Sequence, residues 1–238
     1  MAELRTEPND PSAAVLERAR ARYSPAARKV VDAGVDLFAQ VGFLATTIRD
    51  LTRSCGITAP SFYNHFESKE ALLYDIVRTA NSALEQRLDA LEVDTLDPVD
   101  ALSGLVYGLV TFNLTHPKEA RIANREWVFL QPAMRDEVST HRRRVRSLFE
   151  QVLASADTQS GLLDGAHEAV PDELEIRLLA MSILNLGIAS SDWYRSDRPL
   201  TIPEVGNAYC RLALRMAGLA PPAAPRTPSP RKNSRPRT

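Results

Sequence analysis

The chain is predicted to be all-α. Apolar residues recur at three- and four-residue spacing along most of its length, Pro or a capping Ser, Thr or Asp opens several of these runs, and no stretch shows a convincing period-two alternation. Residues 1–23 are expected to form a flexible N-terminal arm. Within it, 13–23 (AAVLERARARY) has helical propensity and carries Arg18, Arg20 and Arg22, suited either to tracking phosphate or to a solvated extension of the next helix. A strongly periodic helix follows from Pro25 to Val41, with Ala27, Val31, Val35 and Phe38 on one face and Gly42 beyond its end.

Residues 47–66, TIRDLTRSCGITAPSFYNHF, hold the most information. Ile48, Leu51 and Cys55 form a narrow apolar stripe, and Thr47 with Asp50 three residues on is a variant of the capping box. Gly56 can adopt the left-handed conformation that ends one helix and lets another begin within a few residues. Thr58 supplies the next N-cap, and Pro60 fits only a first helical turn. With Ile57, Phe62 and Phe66 inward, Ser61, Tyr63, Asn64 and His65 are left largely outward, a helix-turn-helix with an exposed recognition helix. Ser68 caps a long helix towards Leu91.

Further helices are predicted from Asp97-Pro98 to His116, from Lys118 to Glu126, after Pro132 with Met134, Val138, Val145, Leu148, Phe149 and Val152 inward, from Pro171-Asp172 to Ile188, and from Pro203 to about Gly218. Gly161 to Val170 reads as a loop. The apolar run Leu178 to Ala189 is too short to span a bilayer, so no membrane partner is expected. The tail 221–238 is Pro-rich, basic and without large apolar residues, a composition that favours disorder.

The run from Ser24 to Val77 resembles the N-terminal DNA-binding domain of TetR-family transcriptional regulators. The matching elements are Leu37-Phe38, Gly42, Thr46-Thr47-Ile48, Cys55-Gly56-Ile57-Thr58, Phe62-Tyr63-Asn64-His65-Phe66 and Ser68-Lys69-Glu70. Thr52, in place of the usual Ala, and Pro60, in place of a frequent Gly, depart from the pattern. The resemblance implies a DNA-binding domain over 24–84 and a helical ligand-binding and dimerisation domain over 85–220. It also implies a homodimer on double-stranded operator DNA, since two recognition helices about one turn of DNA apart are needed for specificity. On this reading Thr46 or Thr47, together with Tyr63 and Lys69, contacts phosphates, Ala59, Ser61, Asn64 and Arg49 approach base edges, and Thr58 and His65 complete the surface.

The charge balance sharpens that expectation. Net charge is −1, and the tail's uncompensated cations leave residues 1–220 at −6, so DNA affinity must come from a local patch (Lys29, Arg49, Arg53, His65, Lys69). Cys55 and Cys210 are the two cysteines, a usage that fits a reducing cytoplasm and neither a disulfide framework nor a metal site. No hydrolase, nucleotide-loop or zinc-enzyme motif is present, and neither an enzyme activity nor a cofactor is expected.

An effector is expected instead. NREWVFL (124–130) and SDWYRSDRPLT (191–201) resemble the branch of the family that responds to acyl-coenzyme A thioesters, with a neutral, drug-like effector as the competing option. Candidate ligand contacts are Tyr107, Asn113, Asn124, Trp127, Asn185 and Trp193, the pair Arg121 and Arg125 at i, i+4, and His141, which heads a basic cluster through Arg146 and otherwise reads as a satisfied core histidine.

Overall fold

The computed structural model describes residues 11–160, 172–194 and 199–220; the expected loop 161–170, the tail 221–238 and the first ten residues lie outside them. Eleven α-helices and no strand occur among the described residues. They are α1 (Pro11–Ala21), α2 (Pro25–Val41), α3 (Ile48–Cys55), α4 (Ala59–Tyr63), α5 (Lys69–Asp89), α6 (Pro98–Thr115), α7 (Pro117–Arg125), α8 (Pro132–Ser160), α9 (Asp172–Ile188), α10 (Ser190–Trp193) and α11 (Ile202–Met216).

Local chemistry sets the boundaries of the N-terminal helices. The hydroxyls of Ser24, Thr47, Thr58 and Ser68 accept from backbone N–H groups in the first turns of α2, α3, α4 and α5. Gly56 closes α3 at φ 67°, ψ 34°, a conformation that strains any residue with a Cβ. Thr52 is accommodated as the sequence allows: it is buried, and its hydroxyl donates to the Arg49 carbonyl at 3.1 Å.

α1 corrects the expectation of a flexible arm. Val15 and Leu16 are buried against Ala83 of α5, Phe112 of α6 and Ala120 of α7, and Ser12 is fully buried. Arg20 reaches across to Glu119 at 3.5 Å and Asp32 at 3.8 Å, so the basic residue expected for phosphate or solvent holds α1 to α7 and α2.

Two large apolar clusters share α5. The first joins Val30, Phe38, Leu51, Phe62, Phe66, Leu72, Leu73, Ile76 and Val77 with Ile122, Ala123, Leu130 and Val138, so the core beneath the helix-turn-helix does not divide at residue 84. The second is built on α6, with Leu102, Leu105, Leu109 and Val110 meeting Phe149 and Leu153 of α8, Ala180 and Ile183 of α9, and Ala213 and Leu214 of α11. Close approach there depends on glycine: a Cβ at Gly187 would lie 2.6 Å from Leu109, and one at Gly206 2.8 Å from the Tyr107 ring.

The outer side of α9 and α11 is uncovered. Leu174 and Leu178 on α9 and Leu212 and Met216 on α11 are all more than 40% exposed. Glu173–Trp193, taken through α10, is 21 residues long and apolar enough by length and composition to cross a bilayer, longer than the Leu178–Ala189 run read from sequence. α9 packs one side on α6 and leaves the other apolar and open, as an interaction surface does.

If α1 is part of the core, Leu16→Ala should cost about 2–5 kcal/mol, as a buried leucine truncation does. Urea denaturation followed by circular dichroism measures it; a solvated arm would show no change.

Candidate DNA interface and effector cavity

The helix-turn-helix presents one exposed surface. Arg49, Thr47, Ala59, Pro60, Tyr63 and Asn64 are exposed on it, Ser61 and His65 half-buried beside them. Tyr63 stands with its ring edge-on to buried Phe62, which fixes its direction while 54% of it stays open. The Thr47 hydroxyl and the Asp50 carboxylate close a full capping box, Thr47 Oγ1 donating to Asp50 at 2.6 Å, and these bonds hold the Asp50 carboxyl below its ordinary range. Beside it, Leu44, Thr47, Tyr63, Glu67 and Ser68 surround a shallow depression between the N-termini of α3 and α5.

Two predicted phosphate contacts are corrected. Thr46 is 1% exposed, and its hydroxyl donates to the Gly42 carbonyl at 2.8 Å. Lys69 directs its ammonium inward, donating to the carbonyls of Phe43 and Thr46 at 2.7 Å each and lying 4.2 Å over the Phe43 ring. The cation closes the corner between α2 and α3 rather than facing solvent. Thr58 is exposed, and its oxygen accepts from the Ser61 N–H at the α4 cap, which leaves the hydroxyl proton to donate.

A cavity of about 290 Å³ lies between α5, α6, α8 and α9, closed at one end by Asn124 of α7 and by Trp127 in the turn that follows. Its apolar wall is Leu84, Leu109, Val145, Met181, Leu184 and Ile188; its polar groups include Asn81, Asn124 and Asn185. Three arginines of α8, Arg142, Arg143 and Arg146, line it as well. Arg142 lies 4.9 Å from the Trp127 ring centroid and donates to the Ala123 carbonyl at 3.4 Å; burial lowers its pKa, yet a guanidinium stays cationic near neutrality. Arg146 pairs with Glu150 one turn on, at 3.0 Å.

Of the ligand contacts read from sequence, the cavity gathers Asn124, Trp127 and Asn185. Asn113 stands one layer behind, accepting from Asn124 Nδ2 at 3.2 Å and donating to the Leu109 carbonyl at 2.8 Å. The others are engaged elsewhere. Tyr107 packs on Gly206 of α11. Arg121 donates to the carbonyls of Ala39 and Ser191 at 3.4 and 3.2 Å, and Arg125 pairs with Asp192 at 2.6 Å. Trp193 stacks on Tyr209 and donates to its hydroxyl at 3.0 Å. His141 Nδ1 meets the buried carboxylate of Glu85, which Arg144 also approaches at 2.8 Å, so it is the satisfied core histidine of the blander reading. Sequence reasoning missed Asn81, although an asparagine on the apolar stripe of α5 between Val77 and Leu84 was a legible signal.

Comparison with known proteins completes the picture. Residues 30–76 match the model of the bacterial regulatory proteins of the tetR family, and residues 95–217, more than half the chain, match the tetracyclin repressor-like C-terminal domain. The chain belongs to the TetR family. It is thus a DNA-binding transcriptional regulator; the TetR relatives and family models describe regulators and not enzymes. The transcriptional repressor KstR2 of Mycolicibacterium smegmatis is 28% identical over 199 residues, 80% of this chain and 90% of that protein. A tetR-family regulatory protein from Rhodococcus RHA1 superposes with a TM-score of 0.72 at 27% identity, covering 83% of this chain and all of that one. The ketosteroid transcriptional regulator KstR2 of Mycobacterium tuberculosis gives 0.68 at 25% identity, over 82% and 95% of the two chains.

Removing the Lys69 ammonium (Lys69→Met) should cost about 1–2 kcal/mol, the range for hydrogen bonds to a charged group (about 1.5–3 kcal/mol) scaled down for its partial exposure. Thermal melting reads the loss. An unchanged melting temperature would return Lys69 to the surface.

Proposed function

We propose that this TetR-family protein is a cytoplasmic homodimeric repressor that releases its operator when an anionic effector with an apolar body, such as an acyl-coenzyme A thioester, enters the cavity. The arginine set of α8 at an otherwise apolar cavity carries this reading, because guanidinium groups pair with phosphate and carboxylate. A volume near 290 Å³ suits an acyl group, leaving the nucleotide portion outside, beyond the arginines. A neutral effector could take hydrogen bonds from these arginines but would form no ion pair with them.

The uncovered face of α9 and α11 supplies the dimer contact in this proposal, and the exposed Thr47, Arg49, Ala59, Ser61, Tyr63 and Asn64 supply the DNA contacts. Backbone N–H groups at the start of α3 and α5, around the depression beside Thr47 and Ser68, add phosphate contacts that do not need the lysine. His65, half-buried, sits at the edge of this surface.

Signal transfer runs through α7. Asn124 and Trp127 line the cavity, and between them Glu126 accepts from the Phe43 N–H at 3.1 Å, in the corner that leads into α3. Arg121 holds the end of α2, and Lys118 pairs with Asp36 at 2.6 Å. A ligand that displaces Trp127 therefore pulls on the α2–α3 corner directly, beside any tilt of α5. A coupling of about 1–3 kcal/mol per effector is typical of such systems.

Native mass spectrometry should show a dimer and a co-purifying thioester; a strict monomer overturns the proposal. Tyr63→Ala should weaken binding to the upstream DNA of its own reading frame by about 1–3 kcal/mol without dissociating the dimer, measured by fluorescence anisotropy. Glu126→Ala should leave the dimer intact and reduce the effector's ability to release DNA. Full release in that variant would place the signal on α5 alone.

A further inference from the structure

Three arginines of α8 reach the cavity, and the protein satisfies them unequally. Arg146 pairs with Glu150 at 3.0 Å. Arg143 is exposed and gives a bond to the Thr140 hydroxyl of its own helix at 3.0 Å. Arg142 is half-buried, and among the described residues its partners are the Ala123 carbonyl, at a long 3.4 Å, and the face of Trp127, 4.9 Å from the ring centroid. Neither is a carboxylate. A cation held away from water without a counter-ion is costly, and one neutral oxygen and an aromatic face offset that cost only in part.

Both partners belong to one stretch of chain. Ala123 lies in the last turn of α7, where a helix leaves carbonyls without an amide of their own, and Trp127 opens the turn beyond it. Arg142 thus caps α7 from α8 and ties down the turn that carries Glu126, whose carboxylate accepts from the Phe43 N–H at 3.1 Å. A carboxylate or phosphate entering the cavity offers this guanidinium two charged oxygens in bidentate geometry, a stronger partner than either it has. We propose that Arg142 is both the anion receptor of the cavity and the latch of the switch. It holds Ala123 and Trp127 in the effector-free protein, and the effector's anionic group draws it off them, which loosens the grip of Glu126 on the α2–α3 corner. Recognition of charge and release of DNA are then one event. A neutral molecule of the same shape leaves the latch closed. This rests on the reading of the cavity as the effector site.

Two measurements on the full chain test it, both by fluorescence anisotropy on a labelled fragment of the DNA upstream of its own reading frame. In the first no effector is present. Arg142→Met removes the cap and should weaken binding about fivefold or more, the low end of allosteric coupling, with the oligomer unchanged by native mass spectrometry. Binding equal to that of the unaltered protein overturns the latch and leaves the effector reading standing. In the second, octanoate, octanoyl-CoA and octan-1-ol are titrated into the complex. Release by octanoate identifies a carboxylate as the anion received, release by octanoyl-CoA alone a phosphate, and octan-1-ol should release nothing. The compound that works on the unaltered protein should have little further effect on Arg142→Met, whereas a variant that is merely less stable would keep the full response. Release by octan-1-ol, or an undiminished response of Arg142→Met, overturns the proposal. Release by none of the three refutes the anionic-effector reading and the receptor role with it, and the latch then stands or falls on the first measurement.

Discussion

One helix has to satisfy two cores at once. The N-terminal half of α5 gives Leu72, Leu73, Ile76 and Val77 to the cluster beneath the helix-turn-helix, and its C-terminal half gives Leu88 to the cluster built on α6. Between them Asn81 and Leu84 face the cavity and Ala83 receives α1. A rod of 21 residues is about 30 Å long and resists bending while its backbone ladder is intact. Whatever displaces its middle therefore moves the platform that carries α3 and α4, and the burial of Glu85 on it is compensated by the Arg144 guanidinium of α8, with the His141 ring against the same carboxylate.

The arginines show how placement divides labour among like charges. Arg20, Arg121 and Arg125 are spent on α1, on the ends of α2 and α10, and on Asp192, while Arg142 and Arg143 line the cavity. Nothing in the side chain itself separates these roles. The difference is how much of the guanidinium the rest of the fold takes up: Arg121 gives bonds to two carbonyls and Arg125 pairs with a carboxylate, whereas Arg142 gives one bond to the Ala123 carbonyl and Arg143 one to the Thr140 hydroxyl of its own helix, which leaves donors over.

That distinction also explains what could be read from the sequence. The caps at Ser24, Thr47, Thr58 and Ser68, and the turn at Gly56, use residues one to three positions away, so they and the all-α class were legible. The exposed row of Tyr63 and Asn64 followed from the same local periodicity. Contacts between distant segments were not legible. Lys69 meets carbonyls 23 and 26 residues earlier, and Arg121 reaches one 82 residues earlier. α1 has only a weak apolar stripe, and its burial depends on Phe112 and Ala120, which the local pattern cannot announce.

The glycines of the C-terminal half have a mechanical meaning. Gly187 lets α9 seat directly on Leu109, and Gly206 lets α11 seat on the Tyr107 ring, so that α6 is gripped from both sides with no slack for a side chain to take up. A block clamped in this way behaves as an anvil. Under the function proposed above, an occupant wedged into the neighbouring cavity would meet an unyielding surface behind it, and the work it does would be delivered forward, towards α3 and α4.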